Sequence, residues 1–260
     1  MERFYKTPVF VILAMSLLAA GGNPDKAAGK PDTLQGKLEY RVRYLEEPDE
    51  DFSNRRMFRI NDFSCWAESS TLRGDSVMVF HRKDRTKNGE LTYWKFYTDV
   101  AKHRLLRKER KIVSRSGEVL EQSVEKYDYD FYDYPAPNAH FHQAPILGSF
   151  MDLEAGNSQK IWMIFSVEFT PFYVTAEVKE TEKIKVPAGE FECYKIELRY
   201  APDTIPIFKL LPSYFAEKLI PSYYLWVDKK APHTMVRFQG QLEGMTSPEQ
   251  AQELVKIYDA

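Results

Sequence analysis

The chain has 260 residues, of which 43% are hydrophobic and 14% aromatic, and its formal net charge is −2. That length and apolar content are enough to bury a sizeable core. The near-neutral balance gives no sign of the basic face or stripe that nucleic-acid binding usually demands, so no nucleic-acid partner is expected. The 16 Tyr and 17 Phe favour strands, where aromatic side chains pack well on a pleated surface. All-β folds of this size commonly form one domain.

Residues 1–22 carry Arg3 and Lys6, then the uncharged run "PVFVILAMSLLAAGG" ending in small residues. This is the layout of a secretory signal peptide, with cleavage expected after Gly21 or Gly22. The run is short for a membrane span. No Cys follows it, so the lipid-anchored form of such a signal is not expected. The mature protein is expected to be periplasmic or secreted, with transient membrane contact allowed. Residues 23–36, "NPDKAAGKPDTLQG", read as a flexible leader, and residues 37–260 as a single β-rich domain.

"KLEYRVRYLEE" alternates cleanly, with Leu38, Tyr40, Val42 and Tyr44 on one face and Glu39, Arg41 and Arg43 on the other. That is the period of a strand with one wet face. Residues 55–69 and 75–83 follow as strands punctuated by "TLRGD". Residues 90–113 read as two strands joined between Thr98 and Lys102, and the second half also suits a basic helix because Leu105, Leu106 and Val113 do not alternate strictly. In residues 126–145, "KYDYDFYDYPAPNAHFHQAP", an edge strand is expected to run into a long proline-broken loop. A turn at 154–157 and an apolar strand come next.

"FYVTAEVKETEKIKV" and "EFECYKIELRY" flank Pro187-Ala188-Gly189. Pro fixes φ for the first central turn position and Gly supplies φ > 0, so a three-residue hairpin loop with a bulge is predicted. Alternation places Tyr194, Ile196 and Leu198 towards the core and Cys193, Lys195, Glu197 and Arg199 on the other face. Residues 205–221, "IPIFKLLPSYFAEKLIP", are apolar but broken by Pro206, Pro212 and Pro221, which suits a mobile lid carrying a short helix capped by Ser213. "YYLWVDKKAPHTMVRFQG" returns to strand, turn and strand. At the end, Ser247, Pro248 and Gln250 resemble a helix start, and Ala251, Leu254, Val255 and Tyr258 give an apolar stripe at helical spacing. A short C-terminal helix is predicted.

The motif Val186-Pro187-Ala188-Gly189-Glu190-Phe191-Glu192-Cys193, the stretch 223–240 and the export signal together resemble an uncharacterised family of secreted bacterial β-rich proteins. That family in turn looks like the LolA/LolB lipoprotein carriers of the Gram-negative periplasm. The resemblance is specific over residues 174–240. It implies a mainly β fold: a strongly curved antiparallel sheet, an unclosed half-barrel, with one to three short helices over its concave mouth. It implies a non-catalytic activity, the holding of a lipid, an acyl chain or another apolar ligand.

No GxSxG, HExxH, P-loop or GxGxxG is present, and no enzymatic activity and no cofactor are expected. Buried ligand sites are mostly apolar and aromatic, so Trp94, Phe96, Tyr214, Phe215, Tyr223 and Trp226 are the candidate ligand-binding residues. Each of them also suits ordinary core packing. His140 and His142 have the i, i+2 spacing of two zinc ligands on one strand, with Asp133 or His103 to complete a site. Two placed ligands fall short of the three or four a zinc ion needs, so a metal-dependent hydrolase is the remote alternative. Asp128, Asp130 and Asp133 lack the glycine-bearing loop of a calcium site and suit the solvated face of an edge strand. That edge, 127–134, is where a structural or interaction role in an envelope assembly would reside. Cys65 and Cys193 can close one disulfide outside the cytoplasm, or stand as two unpaired thiols in strands. CxxC is absent, which argues against a redox site.

Overall fold

A computed structural model describes residues 36–45, 60–99, 101–102, 104–127, 139–164, 172–201, 222–241 and 249–258. The signal segment, the leader, most of the 127–134 edge, the 205–221 segment, Asp133 and His103 lie outside them. Among the described residues, thirteen strands form one sheet in the order β6-β5-β4-β3-β2-β1-β13-β12-β11-β10-β9-β8-β7. The first arm is a meander: β1 (Lys37–Tyr44), β2 (Ile60–Leu72), β3 (Asp75–Thr86), β4 (Leu91–Asp99), β5 (Arg104–Val113) and β6 (Val119–Lys126). The second arm holds β7 (Ala139–His140), β8 (Ser158–Ile164), β9 (Phe172–Val186), β10 (Gly189–Tyr200), β11 (Tyr223–Asp228) and β12 (Met235–Gly240), and β13 (Gln250–Tyr258) joins the two arms. Every pairing is antiparallel except the two-residue β7, which runs parallel to β8.

The sheet is open, with β6 and β7 at its two ends, yet it is strongly curled. The amide of Ala188, at the tip of the β9–β10 hairpin, donates to Leu254 O at 3.1 Å, although three strands separate β9 from β13 in the order. From β7, His140 reaches the inner face of β4, its ring 4.9 Å from Phe96. The concave side collects the alternating apolar positions. Leu38, Tyr40 and Val42 of β1 are buried as their spacing predicted, and Phe63, Phe80, Phe96, Leu105, Val174, Ala176, Leu225 and Phe238 join them. Burying such a face is the main favourable term, at ~25 cal/mol per Å².

Three local expectations are corrected. Residues Gln250–Tyr258 form β13, a strand, in place of the predicted C-terminal helix. It fills the gap between β1 and β12, and two unsatisfied strand edges outweigh the weak local preference of a nine-residue helix. Its apolar spacing fits a helix because the ladder slips by one residue between Glu39 and Tyr40. The turn after β9 has two residues, Pro187 and Ala188, with Gly189 (φ +139°) already paired to Val186. The glycine serves the positive φ as expected, but as the first ladder residue. In β10, Cys193 is fully buried and Tyr194 only partly so. Tyr194 keeps the parity of Ile196 and Leu198 along β10, and those two are buried as predicted.

Candidate functional site

The inner face of β3 and β4 carries the first part of the site. Met78, Phe80, Arg82 and Asp84 share one parity on β3, and all four are buried. Phe80, Trp94 and Phe96 pack as one aromatic group, with ring centroids 6.2 Å and 6.0 Å apart. Arg82 and Asp84 are each only 2% exposed. A charge so placed demands a partner, and Arg82 Nε donates to Asp84 Oδ1 at 2.6 Å. The second carboxylate oxygen accepts from Trp94 Nε1 at 2.7 Å. The guanidinium lies 3.8 Å from the centre of the Phe63 ring, a cation–π contact.

Residues 139–150 cross this concave face. A 3-10 turn (Phe141–Gln143), α1 (Ala144–Leu147), which is the one α-helix among the described residues, and a second 3-10 turn (Gly148–Phe150) follow β7. The segment begins with a reciprocal cap. His142 N–H donates to His140 Nδ1 at 3.2 Å, and His140 N–H donates to Gln143 Oε1 at 2.8 Å. This is a capping box with imidazole in the usual place of a hydroxyl. Pro145 lies in the first turn of α1, where its missing N–H leaves no bond unmade. Gln143 Nε2 reaches Thr98 Oγ1 on β4 at 3.3 Å, and Arg82 Nη1 donates to His142 O at 3.3 Å. At the far end, Gly148 sits so close to β11 that an added Cβ would be 2.9 Å from Val227 Cγ1. Ile146 and Leu147 are each 2% exposed. The segment thus bridges the two arms of the sheet from inside.

The His142 ring stands 4.7 Å from Trp94 and 5.0 Å from His140. Burial lowers its pKa well below the ordinary histidine value, and the cationic Arg82 lowers it further, with His140, Lys108 and Arg110 adding to the effect. Burial likewise draws Lys108 below its usual value, partly offset by its ion pair with Glu125 at 2.7 Å. Two buried donor positions in this cluster, Arg82 Nη2 and His142 Nδ1, have no hydrogen-bond partner among the described residues.

The sequence-selected residues divide as follows. Trp94 and Phe96 lie on the inner face. Tyr223 does too, 1% exposed and packed edge-on against Tyr200 and Phe141 at 5.2 Å and 5.7 Å. Trp226 belongs to the convex side. Its indole donates to Glu182, and Lys195 and Arg237 flank its ring. Tyr223 and Trp226 are an odd number of positions apart on one strand, and successive side chains point to opposite faces. Tyr214 and Phe215 lie outside the described residues. His140 and His142 form the cap just described, and no group of three or more His, Cys, Asp or Glu is gathered for a metal among the described residues. Cys65 and Cys193 are free thiols, because β2 and β10 are separated by β1, β13, β12 and β11.

Arg82 and Asp84 went unremarked in the sequence, and residues 139–145 read there only as part of a proline-broken loop with a histidine pair. The signal for the first two was present: "MVFHRKD" continues the period-two phase of Met78 and Phe80 through Arg82 to Asp84. On the convex side, a groove of about 670 Å³ runs over β1–β3 beside Arg41, Asp62, Lys83 and Arg85. Its charges are largely paired, as in Arg85 to Asp62 at 2.8 Å, and it offers little to an apolar ligand.

No family model matches the chain, and no curated protein matches it. Among solved structures it is similar to the beta-barrel-like protein of a domain of unknown function from Brucella abortus, at 10% identity and a TM-score of 0.46, over 88% of this chain and 99% of that one. It is similar to the hypothetical lipoprotein YmcC from Escherichia coli, at 12% identity and a TM-score of 0.34, over 91% and 92% of the two chains. It is also similar to the Mycobacterium tuberculosis lipoprotein LppX, at 12% identity and a TM-score of 0.28, over 86% of each chain.

Proposed function

We propose that this is an exported, non-catalytic binding protein that holds an acyl chain or another apolar ligand against the concave face of its open sheet. The observation that carries the reading is the continuous aromatic lining of that face: Phe80, Trp94 and Phe96 from one arm, Phe141 from the crossing segment, and Tyr223 and Phe238 from the other. Concave sites lined by aromatic side chains, with a few fixed polar groups, are the usual form of small-molecule sites. The driving force is transfer of apolar surface out of water, at ~25 cal/mol per Å². The crossing segment 139–150 covers the face. A ligand enters by displacing it or by passing beside it, with residues 205–221, including Tyr214 and Phe215, as the proposed outer cover.

The test is native mass spectrometry of the mature chain purified without detergent, followed by denaturing extraction. A stoichiometric lipid or acyl species supports the carrier reading. A clean apo mass, with no retention of added fatty acid, overturns it. Trp94→Ala should weaken retention, whereas Trp226→Ala, on the convex side, should leave it unchanged.

A second reading draws on the sheet's open end. Val119, Leu120 and Val124 of the edge strand β6 are 48%, 37% and 46% exposed. An exposed apolar edge can accept a strand from an envelope protein. A partner crosslinked at β6, together with the clean apo mass, would favour this role.

A further inference from the structure

We propose that Arg82 and His142 form a head-group subsite on the concave face, which takes the oxyanion carried at the end of an apolar chain. The inference rests on the carrier reading and specifies its ligand: an amphiphile with a carboxylate or phosphate head.

Arg82 carries five N–H donors in a fixed fork. Asp84 takes one of them, through Nε at 2.6 Å, and spends its other oxygen on Trp94. The carbonyl of His142 takes a second donor, from Nη1, at 3.3 Å. Nη2 is buried and has no partner among the described residues, and neither has the Nδ1 atom of the adjoining His142. Arg82 is 2% exposed, so bulk water does not satisfy the remaining donors. A buried donor left unmade is costly, and a guanidinium fork matches the geometry of carboxylate and phosphate oxygens.

The surroundings favour an anion. Arg82, Lys108 and Arg110 all act on the His142 imidazole, and Lys108 and Arg110 lie 5.9 Å and 5.6 Å from the Trp94 ring. The carboxylates that balance Lys108 and Arg110, Glu125 and Glu121, stand further out, with side chains 19% and 46% exposed. The imidazole in its Nδ1–H tautomer donates to an oxyanion without carrying charge itself. The aromatic group of Phe80, Trp94 and Phe96 adjoins these donors. A head group held there leaves its chain along the apolar face.

Isothermal titration calorimetry of the mature chain with dodecanoate, 1-dodecanol and inorganic phosphate tests this. Dodecanoate should bind about tenfold or more tightly than 1-dodecanol, as charge-assisted hydrogen bonds predict. Arg82→Lys should erase most of that preference. His142→Phe, which keeps a ring of similar size and leaves the Arg82–Asp84 pair intact, should reduce it and serves if Arg82→Lys fails to fold. Equal affinity for acid and alcohol overturns the subsite and leaves the carrier reading standing. So does a preference that survives in the folded variants. Binding of neither chain overturns both, and binding of phosphate without either chain does the same, by assigning the donors to a free anion.

Discussion

Gly148→Ala isolates the docking of the crossing segment onto the far arm of the sheet. Gly148 has φ −56° and ψ −32°, an ordinary helical conformation, so alanine brings no backbone strain there. Its helical preference would by itself stabilise the variant by up to about 1 kcal/mol. Against this, the new Cβ would overlap the carbonyl oxygen of His233 and lie 2.9 Å and 3.2 Å from Val227 Cγ1 and Cβ. The carbonyl belongs to a turn fixed by His233 N–H to Lys230 O at 2.9 Å and by the imidazole to Asp228 O at 3.0 Å. Val227 is fully buried. Neither neighbour yields easily, so the overpacking cost belongs near the upper end of ~1–3 kcal/mol. The net effect is a destabilisation of about 1–2 kcal/mol. With a urea m-value near 3 kcal/mol per M, the unfolding midpoint should fall by roughly 0.3–0.7 M at unchanged slope. A midpoint equal to or above that of the unsubstituted protein would refute the close approach of segment and sheet.

Three further outcomes follow from the buried groups. Asp84→Asn keeps the side-chain volume but strands the Arg82 charge, and should cost about 3–5 kcal/mol in urea unfolding; a loss below about 1 kcal/mol would show that water reaches the guanidinium. His142 is protonated less readily in the fold than in the unfolded chain, because burial and then Arg82 oppose its charge. Stability is therefore complete above the ordinary histidine value of 6.5 and falls as pH drops below it, by up to about 1.4 kcal/mol per pH unit. His142→Phe should flatten that part of the pH–stability curve, and an unchanged slope would remove His142 as its source. Burial raises the Cys65 thiol far out of its usual range and pushes Cys193 up to about 12. Both should resist a thiol reagent in the native protein and react fully in denaturant. A mass two protons lower before denaturation would instead reveal a disulfide.

Much of the sheet was legible because one-sided burial writes itself as alternation. Leu38, Tyr40 and Val42 read directly as an inner row, and the turns at 73–74, 155–156 and 187–188 stand where Gly and Pro punctuate the chain. Strand β13 was illegible for a physical reason. Its identity depends on β1 and β12, which offer it two ladders, and no local pattern encodes partners so distant. The site was legible in its members more than in its arrangement. Trp94, Phe96, Tyr223, His140 and His142 were all singled out, but the histidines suggested a metal because spacing alone does not reveal that they cap a turn. Arg82 and Asp84 look like ordinary wet-face charges until the phase of β3 is carried through from Phe80. Trp226 was grouped with Tyr223 by proximity in sequence, although their opposite parity separates them.

The position of β13 has a consequence for how the chain folds. Six strands from β1 to β6 and the β8–β9 and β10–β12 runs are joined largely by neighbours in sequence, so each arm can form locally. The seam between the arms is different: Tyr258 donates its hydroxyl to Glu39 at 3.0 Å across 219 residues. Closing so long a loop is slow, and non-local pairing of this kind sets the folding rate of β-proteins. Until the last strand docks, β1 and β12 present open edges. The cooperative unit is therefore completed by β13, and the half-made sheet is the species most exposed to wrong pairing and to proteolysis.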